Sequence, residues 1–70
     1  MPDTDANKAY VERQISIAKN ATTESAENNA LYRAGTQMEV LPCDGNANLT
    51  AEQQNTVYEA ADWLLGESNG

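Results

Sequence analysis

The stretch that decides the fold is VERQISIAKNATTESAEN, residues 11–28. It lies in a segment, 6–34, that contains neither proline nor glycine. Placing successive residues 100° apart gives this segment one continuous face, as in an α-helix. We therefore predict a long helix over about 5–34, although the face is poor in large apolar side chains. Its members are Tyr10, Val11, Ile15, Ala18, Ala21, Thr22, Ser25, Ala26, Asn29 and Tyr32.

A kink or break near residues 20–23 is the alternative to a continuous helix. Asparagine and β-branched threonine are weak helix formers, and Asn20, Thr22 and Thr23 occur together here. Thr22 or Thr23 could also cap the start of a second helix, since its hydroxyl can accept a free backbone N–H. In either case, Gly35 is expected just beyond the helix end, where a left-handed conformation is common.

The second half of the chain predicts a loop and a shorter helix. Residues 36–49 contain a proline and an Asp-Gly turn signal, which indicate an irregular connection. Thr50 and Gln53 then have the spacing of a capping box. We expect a helix over about 51–65, ended by the glycine that follows, and a flexible tail at 66–70.

Together these elements predict a single all-α domain, residues 1–70, built as a helical hairpin. The second helix is about half as long as the first and can cover only part of its face. The uncovered part could dimerise into a bundle or simply be a half-exposed surface. The residues proposed for self-association are Val11, Ile15, Ala18, Thr22 and Ser25.

Charge and composition exclude several classes of function. Residues 1–34 have a net charge of −1, whereas residues 35–70 hold six acidic and no basic side chains, which gives most of the total of −7. Direct nucleic-acid binding normally needs a basic surface and is not expected. The chain has no histidine and one cysteine, Cys43, so we expect neither an enzyme nor a metal or cofactor site. No signal-peptide pattern or membrane span is evident, and we expect a cytoplasmic protein.

The acidic half suggests a surface for a protein partner. Periodicity places Trp63 away from the apolar face of the second helix, beside Glu59 and Glu52. An exposed tryptophan edged by acids is typical of an interface anchor. Two alternatives remain: Trp63 folds over the loop, or the carboxylates are only a solvated surface. The residues proposed for partner binding are Trp63, Glu52, Glu59, Asp62, Asp44 and Glu39.

In size and charge, this small, acidic, helical chain resembles bacteriophage-encoded proteins that bind and disable a host factor, including anti-restriction and anti-CRISPR inhibitors. The resemblance implies an inhibitor or regulator of a basic or nucleic-acid-handling protein, acting in the host cytoplasm. A DNA mimic is a special case, because ordered carboxylates can imitate phosphates. The alternative is an oligomeric structural or accessory helical protein with no inhibitory role.

Overall fold

The computed structural model describes residues 4–69, and the side chains of residues 7–66. Within that range the regular elements are three helices: α1, Thr4–Lys19; α2, Glu24–Gln37; and α3, Ala51–Asn69. The helices α1 and α2 form a hairpin with the most extensive contact in the molecule, and α3 contacts both. The predicted all-α fold is therefore confirmed.

Of the two interpretations of residues 5–34, the structure has the broken helix. Thr23 is extended, with φ −130° and ψ 153°, and its hydroxyl accepts a hydrogen bond from the backbone N–H of Ala26. At the end of α1, the side-chain amide of Asn20 donates to the carbonyl oxygen of Ser16, 2.9 Å away. Side chains therefore satisfy backbone groups on both sides of the break, which is why these residue types favour helix ends over interiors.

Tertiary packing gives a second reason for the break. A continuous helix of about 30 residues would be roughly 45 Å long at about 1.5 Å per residue. The longest dimension of this molecule is only 31 Å. Folding back at 20–23 lets α2 cover α1, so the hairpin buries apolar surface that a long helix would leave in water.

The break also changes which residues of α2 face inward. A continuous helix would have turned Ser25, Ala26 and Asn29 toward the core, but all three are exposed. The residues of α2 that are buried instead are Asn28, Ala30, Leu31, Ala34 and Gly35. The predicted face is therefore confirmed in α1 at Val11, Ile15 and Ala18, although Tyr10 is 39% exposed. In α2 it is wrong for all members except Tyr32, which packs against the core, because the helical phase does not continue across residues 20–23.

The end of α2 was predicted one turn too early. Gly35 is inside the helix, and the left-handed residue is Glu39, with φ 63°. The N–H of Val40 donates to the carbonyl of Gly35 at 2.9 Å, and the N–H of Glu39 donates to the carbonyl of Thr36 at 3.1 Å. These two bonds form a Schellman motif with glutamate at the position where glycine is usual.

Gly35 is required by packing rather than by its backbone conformation. A Cβ atom at this position would lie 2.5 Å from Cδ1 of Leu41 and 3.0 Å from Cγ2 of Val57. The loop after α2 therefore folds back so that Leu41 rests on the bare backbone of Gly35. This contact closes the core between α2, the loop and α3.

The start of α3 agrees with the prediction, and its end does not. The N–H of Thr50 donates to Oε1 of Gln53 at 2.9 Å, and the N–H of Gln53 donates to Oγ1 of Thr50 at 3.1 Å, which is a complete capping box. The helix does not stop at Gly66 but continues to Asn69. A helical glycine costs only about 1 kcal/mol relative to alanine, so Gly66 alone does not end a helix. Residue 70 and the side chains of 67–69 lie outside the described residues, and the flexible tail stays a prediction.

Alanine is the most frequent residue of the core. Four of its nine members are alanine. The members are Val11, Ile15, Ala18, Ala30, Leu31, Ala34, Leu41, Val57 and Ala61.

Candidate protein-binding surface on the third helix

The outer face of α3 carries the most exposed large hydrophobic side chain of the described residues. Val57 and Ala61 are fully buried on the inner face, whereas Trp63 is 71% exposed. Trp63 follows Ala61 by two residues, or about 200° around the helix, which places it on the opposite side. The alternative in which Trp63 folds over the loop is therefore not observed.

Three carboxylates lie on the same outer face. Glu52, Glu59 and Asp62 are all exposed. Glu59 precedes Trp63 by four residues, one helical turn, so the two side chains are neighbours on the surface. We call Trp63 with these three carboxylates the acidic Trp face. Since no lysine or arginine occurs in residues 35–70, the rest of α3 adds no positive charge to it.

An apolar groove runs along the other side of Trp63. Its volume is about 380 Å³, and its lining residues are Asn7, Met38, Ala60, Trp63 and Leu64. Viewed down α3, Ala60 and Leu64 lie on one side of Trp63 and Glu59 on the other, at 100° per residue. Trp63 therefore separates an apolar band from an acidic band.

The groove is held by contacts between all three helices. Met38 is the C-cap of α2, and it packs with Leu64 against the buried core. At the far side, the side-chain amide of Gln37 donates a hydrogen bond to Oδ1 of Asn7, which ties α1 to the end of α2. These groove residues were not predicted, apart from Trp63, because their proximity depends on the hairpin.

The other two predicted partner-binding residues lie outside α3. Glu39 is exposed and directly follows Met38, so it sits at the end of α2 near the groove. Asp44 is in the loop, where its Oδ1 accepts the N–H of Asn46 at 2.9 Å. The next residue of the turn, Gly45, donates its N–H to the hydroxyl of Tyr32 in α2 at 2.7 Å. The structure thus groups four of the six predicted residues on α3 and attaches the Asp44 turn to α2.

The predicted self-association residues do not form one surface. Val11, Ile15 and Ala18 are buried within the monomer, where the chain's own helices cover them. Thr22 and Ser25 are exposed at the turn and at the start of α2. Self-association through this set stays a prediction, and three of its five residues are inaccessible in the monomer.

Polar contacts that the sequence did not reveal fix the orientation of α3 on the hairpin. Nε2 of Gln54 donates to Oδ1 of buried Asn28, and the hydroxyl of Tyr58 donates to Oε2 of Glu27 at 2.8 Å. Burial of Tyr58, together with the hydrogen bond to Glu27 and its charge, raises the pKa of that hydroxyl to about 12. The periodicity of a single helix could not predict these hydrogen bonds, because the two residues of each pair lie on different helices.

Other kinds of site receive no support from the described residues. Among the side chains of residues 7–66, no three Cys, Asp or Glu groups lie together in a way that could hold a metal ion. The thiol of Cys43 is exposed in the loop. No helix within residues 4–69 combines the length and the apolar character needed to cross a membrane.

No protein-family model, curated protein or solved structure matches this chain.

Proposed function

We propose that this chain is a non-catalytic protein-binding module that inhibits or regulates a partner with a basic surface. The observation that carries the proposal is Trp63, 71% exposed on a helix whose opposite face is anchored in the core. Tryptophan is usually well buried in a folded protein. It is also enriched among the few residues that supply most of the binding energy at interfaces.

The charge distribution supports a basic partner. The acidic Trp face sits in a half of the chain with six carboxylates and no compensating cation. Such a field accelerates encounter with a positively charged surface and disfavours acidic partners. Nucleic-acid-handling proteins have such surfaces, and they are the kind of target that the resemblance to phage-encoded inhibitors suggests.

Imitation of DNA has weaker support than a Trp-anchored interface. Glu52 and Asp62 are ten residues apart, or roughly 15 Å along α3 at about 1.5 Å per residue. Duplex DNA of that length carries about nine phosphates, at one per roughly 1.7 Å. The acidic Trp face offers three carboxylates over the same length. A contact anchored by Trp63 and steered by charge fits these numbers better.

The test is affinity capture from the source cell, followed by binding measurements with the purified partner and variants of the chain. Trp63→Ala should weaken binding by at least about 30-fold, the effect of losing a hot-spot residue worth about 2 kcal/mol. Glu59→Lys should slow association and reduce its dependence on salt.

Two variants serve as matched controls. Glu24→Lys makes the same change in net charge at an exposed position of α2, and Ile17→Ala removes an exposed apolar side chain from α1. Both should retain binding close to that of the unmodified chain. Equal binding by the Trp63 and Glu59 variants and their controls would remove the acidic Trp face as the interface.

A further inference from the structure

We infer that the groove beside Trp63 takes an amphipathic, basic helical segment of the partner, with an apolar side chain in the groove and a lysine or arginine lying over Trp63 toward Glu59. This inference rests on the proposed function and specifies the chemistry of the partner. Its basis is the apolar lining of the groove, the order of the two bands around α3 and the charge of the flanking residues.

The lining of the groove calls for an apolar occupant. Four of its five lining residues are Met38, Ala60, Trp63 and Leu64, and the fifth, Asn7, already uses its Oδ1 to accept a hydrogen bond from Gln37. A volume of about 380 Å³ is near the lower end of the range for binding pockets. It is large enough for one or two aliphatic or aromatic side chains and offers them little polar competition.

The two bands on either side of Trp63 match the faces of an amphipathic helix. A helix with apolar residues at every third or fourth position presents an apolar stripe beside a charged one. Helices of this kind commonly bind by laying the apolar stripe into a groove. A lysine or arginine adjacent to that stripe would lie over the ring of Trp63 and form a cation–π contact. The same cation would be close to the carboxylate of Glu59, which is one helical turn away from Trp63.

The charges of the residues around the groove determine which kind of amphipathic helix can bind there. The residues next in sequence to those that line the groove on α3 and after α2 include Glu39, Glu59 and Asp62, and on α1 the basic residue Lys8 follows Asn7. An acidic helix would meet like charges, each unfavourable at short range. A neutral apolar helix would offer no positive charge to the carboxylates of the acidic band.

A second copy of the chain is the competing occupant. Helix α1 exposes Tyr10 and Ile17, 39% and 44% respectively, with exposed Arg13 between them. These residues follow a helical spacing, and they form a short stripe with apolar and basic character. Each copy, however, has a net charge of −7, which opposes association of two identical chains. We therefore assign the groove to a basic partner.

The experiment measures binding of labelled peptides to the full chain by fluorescence anisotropy. One peptide of about 18 residues, long enough to form a helix, has leucines on one face and lysines on the other. A second peptide has the same composition in an order that destroys the apolar face, and a third has glutamate in place of lysine. We expect the first to bind at least about tenfold more tightly than the second, and the third not to bind.

Variants of the chain locate the site. Trp63→Ala and Glu59→Gln should each weaken binding of the leucine–lysine peptide severalfold, whereas Glu24→Gln, which removes the same charge from α2, should not. Backbone amide shifts of the unmodified chain should change at Met38, Ala60 and Leu64 when the peptide binds. Since Trp63 and Glu59 are exposed, circular dichroism should show both variants to be folded.

Three results would overturn the inference: equal binding of the two lysine peptides, amide shifts remote from the groove, or a chain that self-associates in sedimentation and loses that association when Arg13→Glu is introduced.

The outcomes separate this inference from the proposed function. A captured partner that depends on Trp63, with no preference for the amphipathic peptide, would refute only the inference. A preference for the amphipathic peptide, with a captured partner indifferent to Trp63 and Glu59, would refute the proposed function and leave only the finding that the groove binds a helix of this kind.

Discussion

Replacing the two helical glycines by alanine should have opposite effects on stability. In an open helix this change stabilises by about 1 kcal/mol, because alanine loses less conformational freedom on folding. Gly66 is such a case, since a Cβ there has nothing within 4 Å. We expect Gly66→Ala to stabilise the chain by up to about 1 kcal/mol.

At Gly35 the added methyl group has no room. It would lie 2.6 Å from Cγ of Leu41, close to its backbone, and 3.0 Å from Cγ2 of Val57 on the other side. The whole Leu41 side chain would have to move, and overpacking of this kind costs about 1–3 kcal/mol. Subtracting the intrinsic gain of about 1 kcal/mol leaves a net destabilisation of up to about 2 kcal/mol for Gly35→Ala. The two variants should therefore differ by about 1–3 kcal/mol, the cost of the overpacking.

Thermal and urea unfolding followed by far-UV circular dichroism would measure both effects. For a domain of this size, 1 kcal/mol corresponds to a shift in Tm of about 4–8 °C. A Gly35→Ala chain stabilised as much as the Gly66→Ala chain would refute the argument that Leu41 packs on the glycine backbone. The double variant Gly35→Ala with Leu41→Ala provides a check, because removing the clashing side chain should abolish the specific cost of the added methyl group.

Glu39→Gly should raise the free energy of unfolding by about 1 kcal/mol, measured by urea denaturation, because glycine adopts the left-handed conformation at no steric cost. Thr23→Ala and Thr50→Ala should each lower it by about 1 kcal/mol through loss of a helix cap, and an unchanged urea midpoint would contradict the assigned cap. Since the pKa of Tyr58 is raised to about 12 in the folded chain, its stabilising contribution should be complete below pH 10 and decline as the pH rises toward 12. Glu27→Gln should lower that pKa, seen in a spectrophotometric titration corrected with Tyr58→Phe, and an unaltered titration would contradict the contact.

The features that sequence predicted correctly depend on neighbours in the chain. The capping box at Thr50 and Gln53 involves residues three apart, so its signal is complete in the sequence. The exposure of Trp63 follows from the period of one helix and the burial of Val57 and Ala61. The capping box needed no knowledge of tertiary contacts, whereas for Trp63 the period gave only its direction and left open whether it folds over the loop.

The features that sequence missed depend on contacts between distant segments. Local preferences at residues 20–23 allowed either a helix or a turn, and the burial gained by folding back decided between them. Gly35 carried a local signal for a helix end, but its role is set by Leu41 and Val57. The groove beside Trp63 was missed for the same reason, because it needs residues from α1, the end of α2 and α3 at once.

The alanine-rich core has a consequence for how this sequence can vary over evolution. In most domains, core positions are damaged by substitutions that remove atoms. Ala18, Ala30, Ala34 and Ala61 have almost nothing to remove, and they are 0–3% exposed, so larger residues should be rejected there instead. Homologues should therefore keep alanine, glycine or serine at these four positions while their surfaces diverge. That pattern of small residues would be a more durable mark of common descent than overall sequence identity.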